Sequence, residues 1–215
     1  MNGNDKAICL AILKRGLRNS RYYYQSGQQA TAYVNIDLTV LGDDFGMDSS
    51  PQHEVIQKMA DQFIRSIQQI EEERSFDRLA FIDKDGNGPV GMIALSGLLI
   101  LKSLKEAIFV RPYRNTVRST TKGRSLQPGE KILIISDVAT TGQTILKAAE
   151  KIWEAEAVVT GALVFFDQEL GAKENLFAKD IPLYSLVTRS EARREPGISL
   201  PDREVKVLHE FGGVM

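Results

Sequence analysis

Among 215 residues there is a single cysteine, Cys9, so no disulfide can form within the chain and a cysteine-built zinc site is excluded. Histidine is almost as scarce. His53 and His209 stand far apart and cannot supply a histidine pair at metal-ligand spacing, so no metal site is expected from protein side chains. No apolar run approaches the roughly 20 residues needed to cross a bilayer. The start Met1-Asn2-Gly3-Asn4-Asp5 lacks the basic end and apolar stretch of a secretion signal. Neither sign of charge dominates: 27 Lys and Arg face 28 Asp and Glu, for a net charge of −1. That balance disfavours a nucleic-acid partner, although a local basic patch stays open. Internal repeats, low-complexity tracts and an interdomain linker are also missing. The expectation is a cytoplasmic protein of one domain, 1–215, with no membrane partner.

With 43% hydrophobic and 26% charged residues, the chain can build a sizeable core. Asn4 or Asp5 can cap a first helix that runs past Leu13 to Leu17, with Cys9 packed in its apolar run. Residues 32–41 read as extended. Ser50-Pro51 opens a helix to about Arg74 whose Val55, Met59, Phe63 and Ile67 share one face, with Glu71-Glu72-Glu73 as its solvated end. Short apolar strands then alternate with helices: strands at 78–82, 107–110, 131–136, 158–166 and 183–188, helices at 90–104 and 143–153. Trp153 is expected in the core or at an interface, and His53 toward solvent. Continuous β-branched strands separated by helices predict an α/β fold, a mostly parallel central sheet flanked by helices.

The longest aperiodic stretch, 111–130, carries Arg111, Arg114, Arg118, Lys122 and Arg124 among Thr, Ser, Gly and Asn. Three readings stand: a solvated loop, a basic flap closing over an anionic ligand, or a nucleic-acid contact. The last lacks an aromatic ladder.

In parallel sheets, ligands bind beyond the carboxyl ends of strands. There the chain places Ser136-Asp137-Val138-Ala139-Thr140-Thr141-Gly142-Gln143-Thr144 after the 131–136 strand, with a helix opening at Gln143. Gly142 permits a positive φ and close backbone approach. Successive amides at the helix start form a concavity suited to phosphate. Thr140, Thr141 and Thr144 add hydroxyls, and Asp137 can accept hydrogen bonds from sugar hydroxyls. An ATP-type phosphate loop would need Lys after the glycine, where Gln143 stands, and no Gly-x-Gly-x-x-Gly exists for a dinucleotide.

The segment Ile134 to Thr144 resembles the phosphoribosyl-diphosphate signature of type I phosphoribosyltransferases. Four further segments, in the same order, resemble the orotate members: Tyr24-Gln25-Ser26-Gly27 with Tyr33-Val34-Asn35, then Phe109-Val110-Arg111, then Asp167 to Leu176, then Ile181 to Thr188. The similarity covers about residues 10–195. It implies the type I phosphoribosyltransferase fold, with a small hood from about 1–45 and a flexible flap loop at 111–130.

The resemblance further implies transfer of ribose 5-phosphate from phosphoribosyl diphosphate to a nucleobase, in a homodimer, with Mg²⁺ bound through the substrate diphosphate. Asp137 and Arg111 take the catalytic positions. Ser136 through Thr144, with Lys84 and Arg111, would hold phosphoribosyl diphosphate. Tyr33, Val34, Thr140 and Gln168 would line the base pocket. The chain departs from the family pattern at several places. Ser136 replaces the first of two acids, and Gln25 replaces a lysine. Pro112 and Asn115 replace flap lysines, and Gln168 stands where an arginine meets the orotate carboxylate. The diphosphate loop Asp83-Lys84-Asp85-Gly86-Asn87-Gly88-Pro89 keeps one lysine and adds acid. Two functions from different classes follow: a transferase with an altered base preference, or a non-catalytic regulatory protein that binds phosphoribosyl diphosphate or a nucleotide.

Overall fold

The computed structural model describes residues 3–18, 22–23, 29–30, 33–34, 52–83, 90–112, 116–119 and 125–200. Its helices are α1 (Gly3–Gly16), α2 (Gln52–Glu73), α3 (Val90–Ser103), α4 (Gln143–Trp153), α5 (Ala172–Phe177) and α6 (Arg189–Ala192). Four two-residue strands come early: β1 (Leu17–Arg18), β2 (Tyr22–Tyr23), β3 (Gln29–Ala30) and β4 (Tyr33–Val34). The longer strands are β5 (Arg78–Ile82), β6 (Glu106–Arg111), β7 (Thr116–Ser119), β8 (Lys131–Ala139), β9 (Val158–Asp167) and β10 (Leu183–Thr188).

The later strands form one sheet in the order β10-β9-β8-β5-β6-β7. All its pairings are parallel except β6 with β7. Alternate residues of each strand face opposite layers, as the pleat requires. Leu79, Phe81, Leu133, Ile135, Leu163 and Phe165 join one apolar cluster, under α1, α2 and α3. Ala80, Ile108, Ile132, Ile134, Ala162 and Val164 join the other, under α4 and α5. Each of the larger side chains here, Val, Leu, Ile or Phe, contributes about 1.5–3 kcal/mol by leaving water. A sheet covered on both faces is why the sequence shows unbroken apolar runs instead of alternation.

Polar contacts fix how the first helix docks. Asp5, buried on α1, accepts a hydrogen bond from Arg65 of α2. Lys6 donates to the Leu186 carbonyl at 2.8 Å and to Glu191 at 2.7 Å, fastening α1 to the end of β10. Cys9 is buried in the first cluster, and burial, the largest influence, pushes its thiol up to about 12.

Three expectations change. The aperiodic 111–130 stretch contains β7, an edge strand antiparallel to β6. Its Thr, Arg and Ser residues carry no apolar run, because an edge strand needs none for its ladder. The 131–136 strand continues to Ala139, since Asp137 interrupts the apolar pattern but not the hydrogen-bonded ladder. Trp153, the last residue of α4, is 38% exposed, so of its two expected places the core is ruled out and an interface is not. His53 is exposed as expected, and Glu71, Glu72 and Glu73 face solvent. The helix start at Ser50-Pro51 and His209 lie outside the described residues. Of the extended 32–41 stretch only Tyr33–Val34 is described, as a strand paired with Leu17–Arg18.

At the amino edge of the sheet, Arg78 opens β5 with only 1% of its surface exposed. Its guanidinium lies 2.8 Å from Glu106 and 2.9 Å from Glu130, at ion-pair distance but without aligned hydrogen bonds. Removing one member of a buried ion cluster strands the remaining charge. Arg78→Ala is therefore expected to cost about 3–5 kcal/mol in urea unfolding. A loss under about 1 kcal/mol would show that the cluster is not a stabilising element.

Candidate ligand site at the strand-order reversal

β6 is added to one side of β5 and β8 to the other, so strand order reverses between β5 and β8. At such a reversal the loops leaving the two strands diverge and open a crevice beyond their carboxyl ends. The β8 loop is the segment singled out in the sequence. Ser136, Asp137 and Ala139 are buried at the strand's end, Val138, Thr140, Thr141 and Thr144 are half-buried, and Gln143 is exposed. Asp137 Oδ1 accepts the Ser136 hydroxyl at 3.1 Å and the Val138 amide at 2.8 Å, which fixes the carboxylate at the edge.

Gly142 has φ 79° and precedes α4 as its N-cap, with no side-chain cap on the helix. Its left-handed backbone turns the chain from strand into helix, the conformation that favours glycine. A second reason for glycine lies in packing: a Cβ there would stand 3.2 Å from Leu176 Cγ and 3.3 Å from the Ala172 carbonyl, both on α5. Asn175 of α5 donates to the Thr141 carbonyl at 2.9 Å. The turn is thus clasped by a neighbouring helix. Asn175 carried no assigned role in the sequence reading, where it stood only within a resembling segment.

Beside this loop lie the ends of β9 and β10. Asp167 is opposite Ala139 on one side and Thr188 on the other. Burial, the largest influence, raises the Asp167 pKa above its ordinary value. The Glu169 amide opposes that shift, while the charges of Glu169 and Glu174 add to it. Gln168 is buried, its amide N–H donating to the Ala139 carbonyl at 2.9 Å and its Oε1 accepting from Arg189 at 3.3 Å. Arg189, the first residue of α6 and also buried, went unassigned in the sequence reading. Its signal was the capping box Thr188-x-x-Glu191, which marks a helix start at a strand end.

On the other side of the reversal, Arg111 ends β6 and Asp83 follows β5, paired through Nε and Oδ2 at 2.6 Å. The edge therefore runs from Gln168 through Asp137 to Asp83 and Arg111. Lys84 lies outside the described residues, as do Arg114, Lys122 and Arg124. Only the backbones of Tyr33 and Val34 are described.

Two outcomes are expected from this geometry. Gly142→Ala combines left-handed strain of about 1–2 kcal/mol with a crowded Cβ. Gly129→Ala (φ 77°) meets nothing within 4 Å and costs strain alone. Urea unfolding should rank Gly142→Ala as the more damaging; equal losses would deny the clasp by α5. For Asp167, a folded-state pKa above the unfolded one means stability present at low pH is lost as pH rises through the folded value. Asp167→Asn should therefore gain stability over the parent at pH 7 relative to pH 3.5, and the opposite trend in denaturation would refute the raised pKa.

No family model matches the chain. Individual relatives do. It is 26% identical over 201 residues to an orotate phosphoribosyltransferase of Pyrococcus horikoshii, covering 93% of this chain and 98% of the relative. Over 119 residues it is 35% identical to the orotate phosphoribosyltransferase of Natronomonas pharaonis, covering 52% of this chain and 68% of that one. Among solved structures, orotate phosphoribosyltransferase from Aeropyrum pernix superposes with a TM-score of 0.65 at 21% identity, over 86% of this chain and 97% of the other. An α/β sheet with a clasped, glycine-turned loop at its reversal point, joined to these likenesses, places the chain in the type I phosphoribosyltransferase family as a divergent member of its orotate branch.

Proposed function

We propose that the protein transfers ribose 5-phosphate from phosphoribosyl diphosphate to a nucleobase nitrogen and releases diphosphate. The observation that carries this reading is the Asp137–Thr144 turn at the strand-order reversal, shaped by the positive φ of Gly142 and the Asn175 hydrogen bond. In the reaction, the bond from ribose C1 to the diphosphate oxygen breaks as the base nitrogen bonds to C1, through an oxocarbenium-like transition state. Such a reaction is accelerated mainly by positioning and by stabilising the departing charge. The amides and hydroxyls of Ala139 to Thr144 would hold the 5-phosphate, and Asp137 the ribose hydroxyls. Arg111 and Lys84 would meet the diphosphate from the β5–β6 side. β8 and β6 are separated by β5 alone, which sets the sugar and diphosphate ends about 10 Å apart.

Magnesium, carried on the diphosphate oxygens, would neutralise the leaving group, and the carboxylates at this edge are donors of the hard-oxygen type it accepts. Tyr33, Val34, Thr140 and Gln168 would receive the base. Gln168 is uncharged and its Oε1 is engaged by Arg189, so it brings no positive charge to an orotate carboxylate. A base preference shifted away from orotate follows. A homodimer and a cytoplasmic setting belong to the same proposal; no helix among the described residues is long and apolar enough to cross a membrane.

Diphosphate release should be followed with phosphoribosyl diphosphate, Mg²⁺ and a panel of orotate, uracil and purine bases. Base-dependent release, stronger with an uncharged base than with orotate, is expected. Tight binding of phosphoribosyl diphosphate in calorimetry with no release from any base would favour the regulatory reading instead. No binding at all would sink both.

A further inference from the structure

Asp83 belongs to the acidic addition in the diphosphate loop, and the structure gives it a partner. β5 and β6 run parallel in the register Ile82 to Val110, so the next residues, Asp83 and Arg111, emerge side by side. The Asp83 amide donates to the Val110 carbonyl at 2.9 Å, which extends the ladder one step and fixes the Asp83 backbone. Arg111 is held on its other flank by pairing with Thr116 of β7. Between these two anchored backbones, Arg111 Nε lies 2.6 Å from Asp83 Oδ2, and each side chain is 18% exposed.

The atom used in this contact matters. A guanidinium carries five N–H donors, and its two terminal amino groups form the fork that grips phosphate oxygens in pairs. Asp83 takes the guanidinium at Nε. Among the described residues, no hydrogen bond or ion pair engages Nη1 or Nη2 of Arg111. A carboxylate holding Nε fixes the plane of the group before any ligand arrives. A side chain already fixed surrenders less rotamer freedom on binding.

We infer that Asp83 is a positioning residue that holds Arg111 as a preset fork for the diphosphate of the substrate. This rests on the proposed transferase reading and adds to it the residue that fixes its diphosphate end. The sequence showed Asp83 as a charge of the wrong sign beside an anion site. Its neighbour explains the acid, because Asp83 acts on the arginine and the arginine acts on the ligand.

Calorimetry on the full chain with three probes tests the inference: Mg²⁺ with phosphoribosyl diphosphate, Mg²⁺ with inorganic diphosphate, and ribose 5-phosphate alone. Asp83→Ala is expected to weaken the first two about tenfold, because the fork must then be ordered by the ligand itself. Ribose 5-phosphate, which lacks the diphosphate, should bind as it does to the parent. Asp83→Asn keeps an oxygen for Nε and should recover affinity to within about threefold. In the double variant with Arg111→Ala, removing Asp83 should add nearly nothing, because two members of one device do not add.

Equal binding of diphosphate by Asp83→Ala and the parent overturns the inference. So does an equal loss for ribose 5-phosphate, which would mark a structural role, or a fully additive double variant. Should Asp83→Ala fail to fold, Asp83→Ser, too short to reach Nε, takes its place under the same criteria. If the parent itself binds neither phosphoribosyl diphosphate nor diphosphate, the transferase reading falls first and this inference with it; parent binding with an unaltered Asp83→Ala sinks only the inference.

Discussion

Two strands leave β5 on opposite sides, and that reversal governs where everything else in the site can stand. Had the strands been added in one direction only, each crossover would cover the carboxyl edge of the strand before it. Here β6 is added on one side of β5, and β8 and β9 on the other, the arrangement at which open α/β sheets hold ligands. The turn after β8, Asp137 and the Asp83–Arg111 pair all hang from the strands on either side of this reversal. Their mutual distances are set by sheet geometry, a rigid ruler, and not by loop flexibility.

The turn after β8 shows how local chemistry and packing converge on one residue type. Backbone direction asks for a left-handed residue at 142, and the approach of α5 crowds a Cβ there. Either demand alone would favour glycine, and here both act on one residue. The Asn175 contact then engages the Thr141 carbonyl. A helix that looks like mere sheet cover therefore takes part in shaping the turn.

Much of this was legible in the chain. The strands from 78 onward announce themselves because both their faces are buried, and the turn after β8 because its glycine stands between a strand and a helix start. Other parts left no readable trace. β7 has Val117 as its one apolar residue, so no hydrophobic pattern marks this edge strand. The last residues of β8 are hidden by Asp137, a charge that breaks the apolar run without breaking the ladder. Arg189 and Asp83 are placed by the register of neighbouring strands, long-range information that spacing along one chain does not contain. Gln168 was visible as a departure from the family pattern, but its pairing with Arg189 was not.

The sheet also divides the molecule into two unequal provinces. The residues that clasp the turn, Ala172 and Leu176, lie in the cluster with Ile145 and Ile152, while α1, α2 and α3 pack on the opposite cluster. Neither province stands apart from the turn: Val138 packs against the larger cluster, and Lys6 of α1 holds Glu191 beside the end of β10. In the smaller province, a methyl added at Gly142 meets Leu176 and Ala172 at once.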